Sequence, residues 1–342
     1  MVYFQINKSN LIFNVKRIKA RLQDGVKFCA MVKGNAYGHN LKVISNIIKD
    51  YVDYFGVATI DEGIYLRNKC GIENSILCVG KCDVCEIKNA SIYNIDITVE
   101  SLEQLNQICN MDYDINVHIK VDTGMHRLGI DNIKDFKSAL KLINGRSNIK
   151  LKGLFSHFNE GNENNYIRQK KLFDEYLKLC PQNIIAHCAN SLASRYNSLQ
   201  YDMVRIGLSL YGYGESKLKK VLKIKSKVVS LRKVKKGEVV GYEQGYRAEN
   251  DCFVATVFLG YYDGINRKLS NNAFVKINNK QYAIIGNICM DMFMVLVDDT
   301  VKVDDQVIVF EDADYWAKIV GTIPYEILTS FKADRMVLNI VE

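Results

Sequence analysis

The chain has 342 residues, 48% hydrophobic and 25% charged, with 46 basic against 38 acidic side chains for a formal charge of +8. That length supports a large core and points to two domains, since a domain commonly uses roughly 100–200 residues. No apolar run is long enough to cross a bilayer, and the N-terminus MVYFQINKSN lacks the basic and apolar regions of a secretory signal, so a cytoplasmic protein is expected.

Ten cysteines in such a compartment read as reduced thiols. Cys82-Asp-Val-Cys85 has no second pair at metal-binding spacing, so no metal is expected. The basic excess is spread along the chain. Its densest run, 217–227, alternates Lys with apolar residues, as the solvated face of a strand does. It lacks the interleaved aromatics of a single-strand binder, and no nucleic-acid partner is expected. A positive balance suits a small anion such as a phosphate ester.

In chain order, apolar runs of strand length stand at 28–32, 54–58, 76–79, 95–99, 117–121, 153–157, 184–188 and 203–210. Helical patterns lie between them at 39–49, 61–69, 84–90, 101–110, 133–143, 166–179 and 191–197. This alternation predicts parallel strands joined by crossover helices. A count of eight favours a closed (β/α)8 TIM-type barrel over an open doubly wound sheet. After about Ser216 the texture changes. Short β-type runs at 228–231, 253–258, 273–277, 282–285, 293–297 and 305–310 are split by Gly, Asn or Asp, with Asn278-Asn279 as a hairpin turn. The expected fold class is α/β, a barrel over 8–216, followed by a mostly β domain over 217–342.

Barrels carry their chemistry at the C-terminal ends of the strands. Lys33 follows the first strand. Lys120, Asp122 and Arg127 lie at or after the fifth, and His157 ends the sixth. Asn190 and Ser191 follow the seventh, and Arg205 sits within the eighth. Singly, each reads as a rim lysine or a satisfied core residue. Together, converging cations and donors at one barrel mouth describe an anion site, with a lysine able to form a Schiff base.

The stretch Met31-Val32-Lys33-Gly34-Asn35-Ala36-Tyr37-Gly38-His39 resembles the lysine motif of the alanine racemases, which use pyridoxal 5'-phosphate (PLP). Seven more stretches resemble that family in the same order: VHIKVDTGMHRLG, GLFSHF, HCANS, DMVRIGLSLYG, GYYDGINRKLSN, IIGNICMDMF and GTIPYEI. The family fold is a barrel followed by a β domain, to which residues 1–7 would lend a strand. The resemblance implies a PLP-dependent isomerase that interconverts L- and D-alanine for peptidoglycan.

The same resemblance implies the site. Lys33 would carry the cofactor and serve one face of the substrate. Tyr246 would serve the other, reaching in from the second subunit of a homodimer. A tyrosine needs cationic neighbours to act as a base near neutrality, and His157 and Arg205 are the expected ones. Arg205 would face the pyridine nitrogen. Being a donor that stays protonated, it would leave that nitrogen unprotonated, which favours racemisation over side reactions. Tyr37, Ser191, Tyr325 and the amides of Gly207 and Leu208 would hold the phosphate. His157 and Asn190 would support the cofactor. Arg127 would orient the substrate carboxylate, with Lys120 a candidate for carbamylation. Met290, Asp291 and Tyr261 would line the substrate pocket.

Departures from the family pattern are Gly34, His126, Ile206 and Tyr262, none of which removes a catalytic group. Three alternatives stay open: a racemase for serine or a broader set of amino acids, a PLP-binding regulatory protein on the same barrel, and a decarboxylase. Tyr325 opposes a dedicated serine enzyme. Residues 217–342 with Tyr246 oppose the regulatory protein, and Arg205 opposes the decarboxylase.

Overall fold

The computed structural model describes residues 1–159, 163–332 and 335–342. A first strand, β1 (Tyr3–Asn7), belongs to the second of two units. Eight parallel strands then form the first: β2 (Lys27–Met31), β3 (Tyr54–Val57), β4 (Ser75–Cys78), β5 (Ile95–Val99), β6 (Ile115–Lys120), β7 (Ile149–Phe155), β8 (Ile185–His187) and β9 (Met203–Ile206). Their order is β8-β7-β6-β5-β4-β3-β2-β9. The ends meet where the Asp202 and Arg205 amides donate to the Ala186 and Ala189 carbonyls at 3.0 and 2.9 Å, which closes the barrel. The strands read as unbroken apolar runs because both faces are covered; every residue of β3 and of β5 is buried. The polar exceptions, Asp96, Thr98, His118, Lys120, His187 and Arg205, are buried as well.

Local chemistry sets the helix boundaries. Thr59, Ser101 and Asn132 cap the helices Ile60–Cys70, Leu102–Cys109 and Ile133–Asn144 through their side chains. Gly71, at φ 63°, ends the first of these. Three expectations need correction. The helix expected at 191–197 is two short 3-10 turns, Ala193–Arg195 and Asn197–Leu199. Asn190 Oδ1 accepts the Leu192 and Ala193 amides, and Ser194 Oγ donates to the Ser191 carbonyl, so short polar side chains compete with a regular helix. The strand expected to run to 210 stops at Ile206, where the Gly207 amide turns to Ser191 Oγ. His157 lies two residues beyond β7 instead of ending it. A helix at Lys8–Lys19, which the sequence reading omitted, precedes β2.

The second unit comprises Met1–Leu11, Tyr37–His39 and Tyr211–Glu342; the first comprises Ile12–Ala36 and Asn40–Leu210. Its strands are β10 (Leu222–Val234), β11 (Val239–Val240), β12 (Tyr246–Arg247), β13 (Cys252–Phe258), β14 (Phe274–Ile277), β15 (Lys280–Ile285), β16 (Met292–Val297), β17 (Gln306–Phe310) and β18 (Val337–Val341). The main sheet has the order β13-β16-β15-β14-β17-β10-β1-β18, with β13 also pairing β10. Through 222–228 of β10, alternate residues are buried and the lysines face outward, as the alternating pattern predicts. Asn278 and Asn279 take φ of 50° and 64° between the paired Ile277 and Lys280, the left-handed geometry of a two-residue hairpin turn. β1 pairs antiparallel with β10 and parallel with β18. The helices Ala313–Val320 and Pro324–Ser330 were not expected from the sequence.

Candidate active site

The segment after β2 is built against the grain of an L-amino-acid chain. Gly34, Asn35, Ala36 and Tyr37 have φ of 62°, 53°, 55° and 52°, a full left-handed turn. Each non-glycine residue in that conformation costs roughly 1–2 kcal/mol. Gly34 suits its position for this reason. The turn is held by Glu62, whose carboxylate accepts the amides of Gly34 at 2.6 Å, Asn35 at 3.4 Å and Ala58 at 2.8 Å. Asn35 Oδ1 accepts the Leu41 amide at 2.7 Å. Lys33 stands at the start of this turn, so the strained backbone fixes the base of its side chain.

Lys33, Lys120, Arg127, His157 and Arg205 act on one another electrostatically. Burial, then Arg127 and Arg205, lowers the Lys33 pKa, against Glu62, which raises it. Burial and the same two arginines bring Lys120 to about 8. Burial, Arg205, Arg127 and both lysines push His157 down to about 3, so it is a neutral ring. Arg127 rides on a loop organised by Asp122, whose carboxylate accepts the amides of Gly124, Met125 and Arg127 at 2.8, 2.9 and 3.2 Å. Burial raises the Asp122 pKa, but backbone amides outweigh it and the group ends below the usual carboxylate range. His126 in this loop has φ 52°, where the family resemblance leads one to expect glycine.

Arg205 is 4% exposed. Its Nη1 donates to His187 Nδ1 at 2.6 Å and to the His187 carbonyl at 2.9 Å. Its Nη2 donates to the carbonyls of Ser156 and Cys188 at 2.7 and 3.3 Å and lies 3.3 Å from His157 Nδ1. The Phe155 ring centre is 5.1 Å from the guanidinium carbon. No carboxylate pairs with this arginine among the described residues. Nearby, buried Ser191 Oγ accepts the amides of Gly207 at 3.0 Å and Ser209 at 3.4 Å, a hydroxyl-and-amide cluster suited to a phosphate. Asn190 is used as the turn cap described above.

The remaining candidates lie in the second unit. Tyr37 is buried and packs between Tyr211 and Tyr325, with ring centres 5.1 and 5.8 Å away. Tyr261 and Met290 are exposed. The Tyr261 amide donates to the Cys289 carbonyl and that of Tyr262 to Met290, which ties the two segments together. Asp291 accepts Arg335 Nη1 at 2.6 Å, and Arg335 also clasps Asp263 at 2.9 Å. Tyr246 is raised above the usual tyrosine range by burial, then Cys252 and Glu249. Within this chain, the cations expected to lower it are not among the causes of its shift.

Sequence reasoning missed Glu62, Ser209 and a role for His187. Glu62 looks like a capping residue three positions after Thr59. Its carboxylate instead leaves that helix for the Lys33 turn, which no spacing rule reports.

A lysine held below its usual pKa beside a carboxylate-free buried arginine, at the mouth of a closed (β/α)8 barrel, defines an enzyme that binds an anion and works through an amine. Residues 6–215 match the family described as alanine racemase, N-terminal domain, and 221–337 match its C-terminal domain. The chain is 33% identical to an alanine racemase from Thermodesulfovibrio yellowstonii, covering 96% of this chain and 94% of that protein. The crystal structure of an alanine racemase from Bacillus anthracis with bound L-Ala-P superposes with a TM-score of 0.92 at 29% identity, covering 100% of this chain and 95% of that one. One from Bartonella henselae with covalently bound pyridoxal phosphate gives 0.90 at 25% identity, covering 99% of each. The chain belongs to the alanine racemase family.

Proposed function

We propose that this chain is a PLP-dependent racemase that interconverts L- and D-alanine, supplying D-alanine for peptidoglycan. The observation that carries this reading is Arg205, a buried guanidinium paired with neutral acceptors only, set among the same charges as the Lys33 amine. The donor set fits PLP: an amine for its aldehyde, the Ser191 cluster for its phosphate, and a donor for its ring nitrogen. When bound, PLP draws electrons from the substrate α-carbon.

Lys33 anchors the cofactor and, with its amine free, exchanges the α-proton on one face. The lowered pKa supports that role, because only the neutral amine accepts a proton. Arg205 donates to the ring nitrogen without surrendering its proton. His157 and Asn190 support the cofactor. Ser191, Tyr37, Tyr325 and the Gly207 and Leu208 amides hold its phosphate. Arg127 orients the substrate carboxylate. Lys120, with a pKa of about 8, has enough neutral amine near neutrality to take up CO2, which would place an anion beside Arg127.

Tyr246 serves the opposite face from a second copy of the chain. Burial, then Cys252 and Glu249, raise its pKa in its own chain, so its activation falls to cations supplied across that interface. Met290, Asp291 and Tyr261 line the substrate pocket from the same side, and the exposure of Met290 (50%) and Tyr261 (43%) supports a homodimer that covers them. Ten free cysteines support a cytoplasmic enzyme.

A racemisation assay over the common amino acids, with PLP present, tests the reading. Alanine should turn over fastest. Lys33→Ala should lose both turnover and the visible absorbance of covalently held PLP. Retained absorbance in that variant, or preference for another amino acid, would overturn the assignment.

A further inference from the structure

Behind Arg205 a string of buried polar residues runs down the barrel. His187 Nε2 lies 2.9 Å from His118 Nδ1. His118 Nε2 faces Asp96 Oδ2 at 3.6 Å, longer than a normal hydrogen bond, and that nitrogen has no other partner among the described residues. Asp96 Oδ2 also accepts Lys152 Nζ at 2.7 Å. Asp96 is the second residue of β5, so this carboxylate lies toward the end of the barrel opposite the mouth. The side chains of His118 and Asp96 are 0% and 2% exposed, whereas that of Lys152 reaches solvent at 26%.

The direction of each bond follows from one fact: arginine only donates. Arg205 Nη1 therefore makes His187 Nδ1 an acceptor. Burial holds both histidines below their usual pKa, so the rings are neutral and each carries one proton. His187 then carries its proton on Nε2 and donates it to His118 Nδ1. His118 in turn carries its proton on Nε2, aimed at Asp96. All donors point the same way, from the cationic arginine at the mouth to the anion at the base.

The packing around the string is specific. The His187 ring stacks on Phe155 with centres 4.8 Å apart and planes 5° from parallel, the same ring that faces Arg205. A side chain at Gly153 would place its Cβ 2.2 Å from His118 Nδ1, so the glycine of GLFSHF makes room for this ring. A buried guanidinium with neutral acceptors alone is costly. Along this string of side chains, Asp96 is the first carboxylate, in electrostatic contact with His118 Nε2 at 3.6 Å.

We propose that Asp96, acting through His118 and His187, is a positioning residue for Arg205: it fixes both imidazole tautomers so that His187 always presents an acceptor to the arginine. This rests on the reading of Arg205 as the partner of the cofactor ring nitrogen. With the relay set, the guanidinium keeps one edge bound and one fixed orientation. With it scrambled, His187 presents an N–H to Arg205 part of the time, and two donors face each other.

Nitrogen-15 NMR of the histidine rings tests the relay in the whole protein, with and without PLP. The chain has only five histidines, so the signals are tractable. In the wild type, His187 and His118 should both be neutral with the proton on Nε2. A proton on Nδ1 of His187, or a charged ring at neutral pH, would overturn the relay. The isosteric variant Asp96→Asn should shift the His118 and His187 signals and move the absorbance of bound PLP. It should also lower kcat roughly tenfold or more with KM for alanine little changed. Unchanged histidine signals and kcat in that variant would overturn the positioning role. If Asp96→Asn does not fold, the wild-type His118 Nε2 proton still decides, since a signal without the downfield shift of a proton directed at a carboxylate would overturn the positioning role of Asp96. If the wild type shows the expected tautomers but racemises nothing, the relay stands and the reading of the reaction falls.

Discussion

Removing the Glu62 carboxylate should release the turn that carries Lys33. The left-handed turn holds three non-glycine residues, Asn35, Ala36 and Tyr37, at a cost of roughly 3–6 kcal/mol in total. Against this, Glu62 makes two short bonds to amides, from Gly34 at 2.6 Å and Ala58 at 2.8 Å, and a weak one from Asn35 at 3.4 Å. Charge-assisted bonds contribute about 1.5–3 kcal/mol each, and partial exposure here favours the low end, so the clamp supplies about 3 kcal/mol. That matches the lower estimate of the strain. Glu62→Ala should therefore lower the thermal midpoint and weaken PLP binding by at least roughly tenfold. Glu62→Gln, which keeps one acceptor oxygen, should fall between. The charge has a second effect. Glu62 raises the Lys33 pKa, so both variants should titrate Lys33 at lower pH than the wild type. The measurements are calorimetry, PLP titration and the pH dependence of PLP attachment. Wild-type stability and PLP affinity in Glu62→Ala would refute the clamp.

Three further outcomes follow from the structure. Burial holds His157 (at about 3), His187 and His118 below the ordinary 6.5; nearby cations add to this at all three, and Asp96 opposes it at His118. Below that value the unfolded chain takes up protons that the folded chain refuses. The stability contribution is thus complete above pH 6.5 and lost as pH falls. Chemical denaturation should show at least about 1.4 kcal/mol less stability at pH 5.5 than at 7.5 from His157, with His187 and His118 adding in the same direction, and equal values would contradict the buried neutral rings. Tyr246→Phe should suppress α-proton exchange from L-alanine far more than from D-alanine; equal losses would rule out a separate base for each face. Gly38 has φ 78°, and a Cβ there would lie 2.1 Å from the Leu328 carbonyl oxygen. Gly38→Ala should therefore fold poorly, measured as soluble yield and thermal midpoint, and a wild-type midpoint would contradict that contact.

The barrel was legible in the sequence because its strands are buried on both faces and read as apolar runs of strand length. The Asn278-Asn279 hairpin was legible because two consecutive left-handed residues demand that chemistry. The Lys8–Lys19 helix is readable too: Leu11, Val15 and Ile18 are buried at helical spacing, although the segment precedes the strand–helix alternation that marks the barrel. The 191–197 stretch departs from its helical pattern because side-chain bonds from Asn190 and Ser194 outcompete helical ones. For the site, the strand-end rule puts forward Lys33, Lys120, Arg127 and Arg205, and these act on one another electrostatically in the structure. Glu62 and Asp96 escaped because their effects act across the fold. A carboxylate reaching another segment's amides, or joined to an arginine through two imidazoles, leaves no local pattern.

The placement of β1 has a consequence for how the protein assembles. This strand is sandwiched between β10 and β18, and Lys8 pairs with Glu342 across 334 positions of the chain. The strand made first among these must wait with both edges unpaired until β10 is synthesised, and with one edge unpaired until β18 is. Such distant pairings slow folding and leave a template for wrong partners meanwhile. Barrel strands β2 to β9 complete their ring without β18. Folding on the ribosome should therefore be ordered, with the barrel closing early and β1 docking as the final long-range event. In a cell, that interval is where a holding chaperone would act.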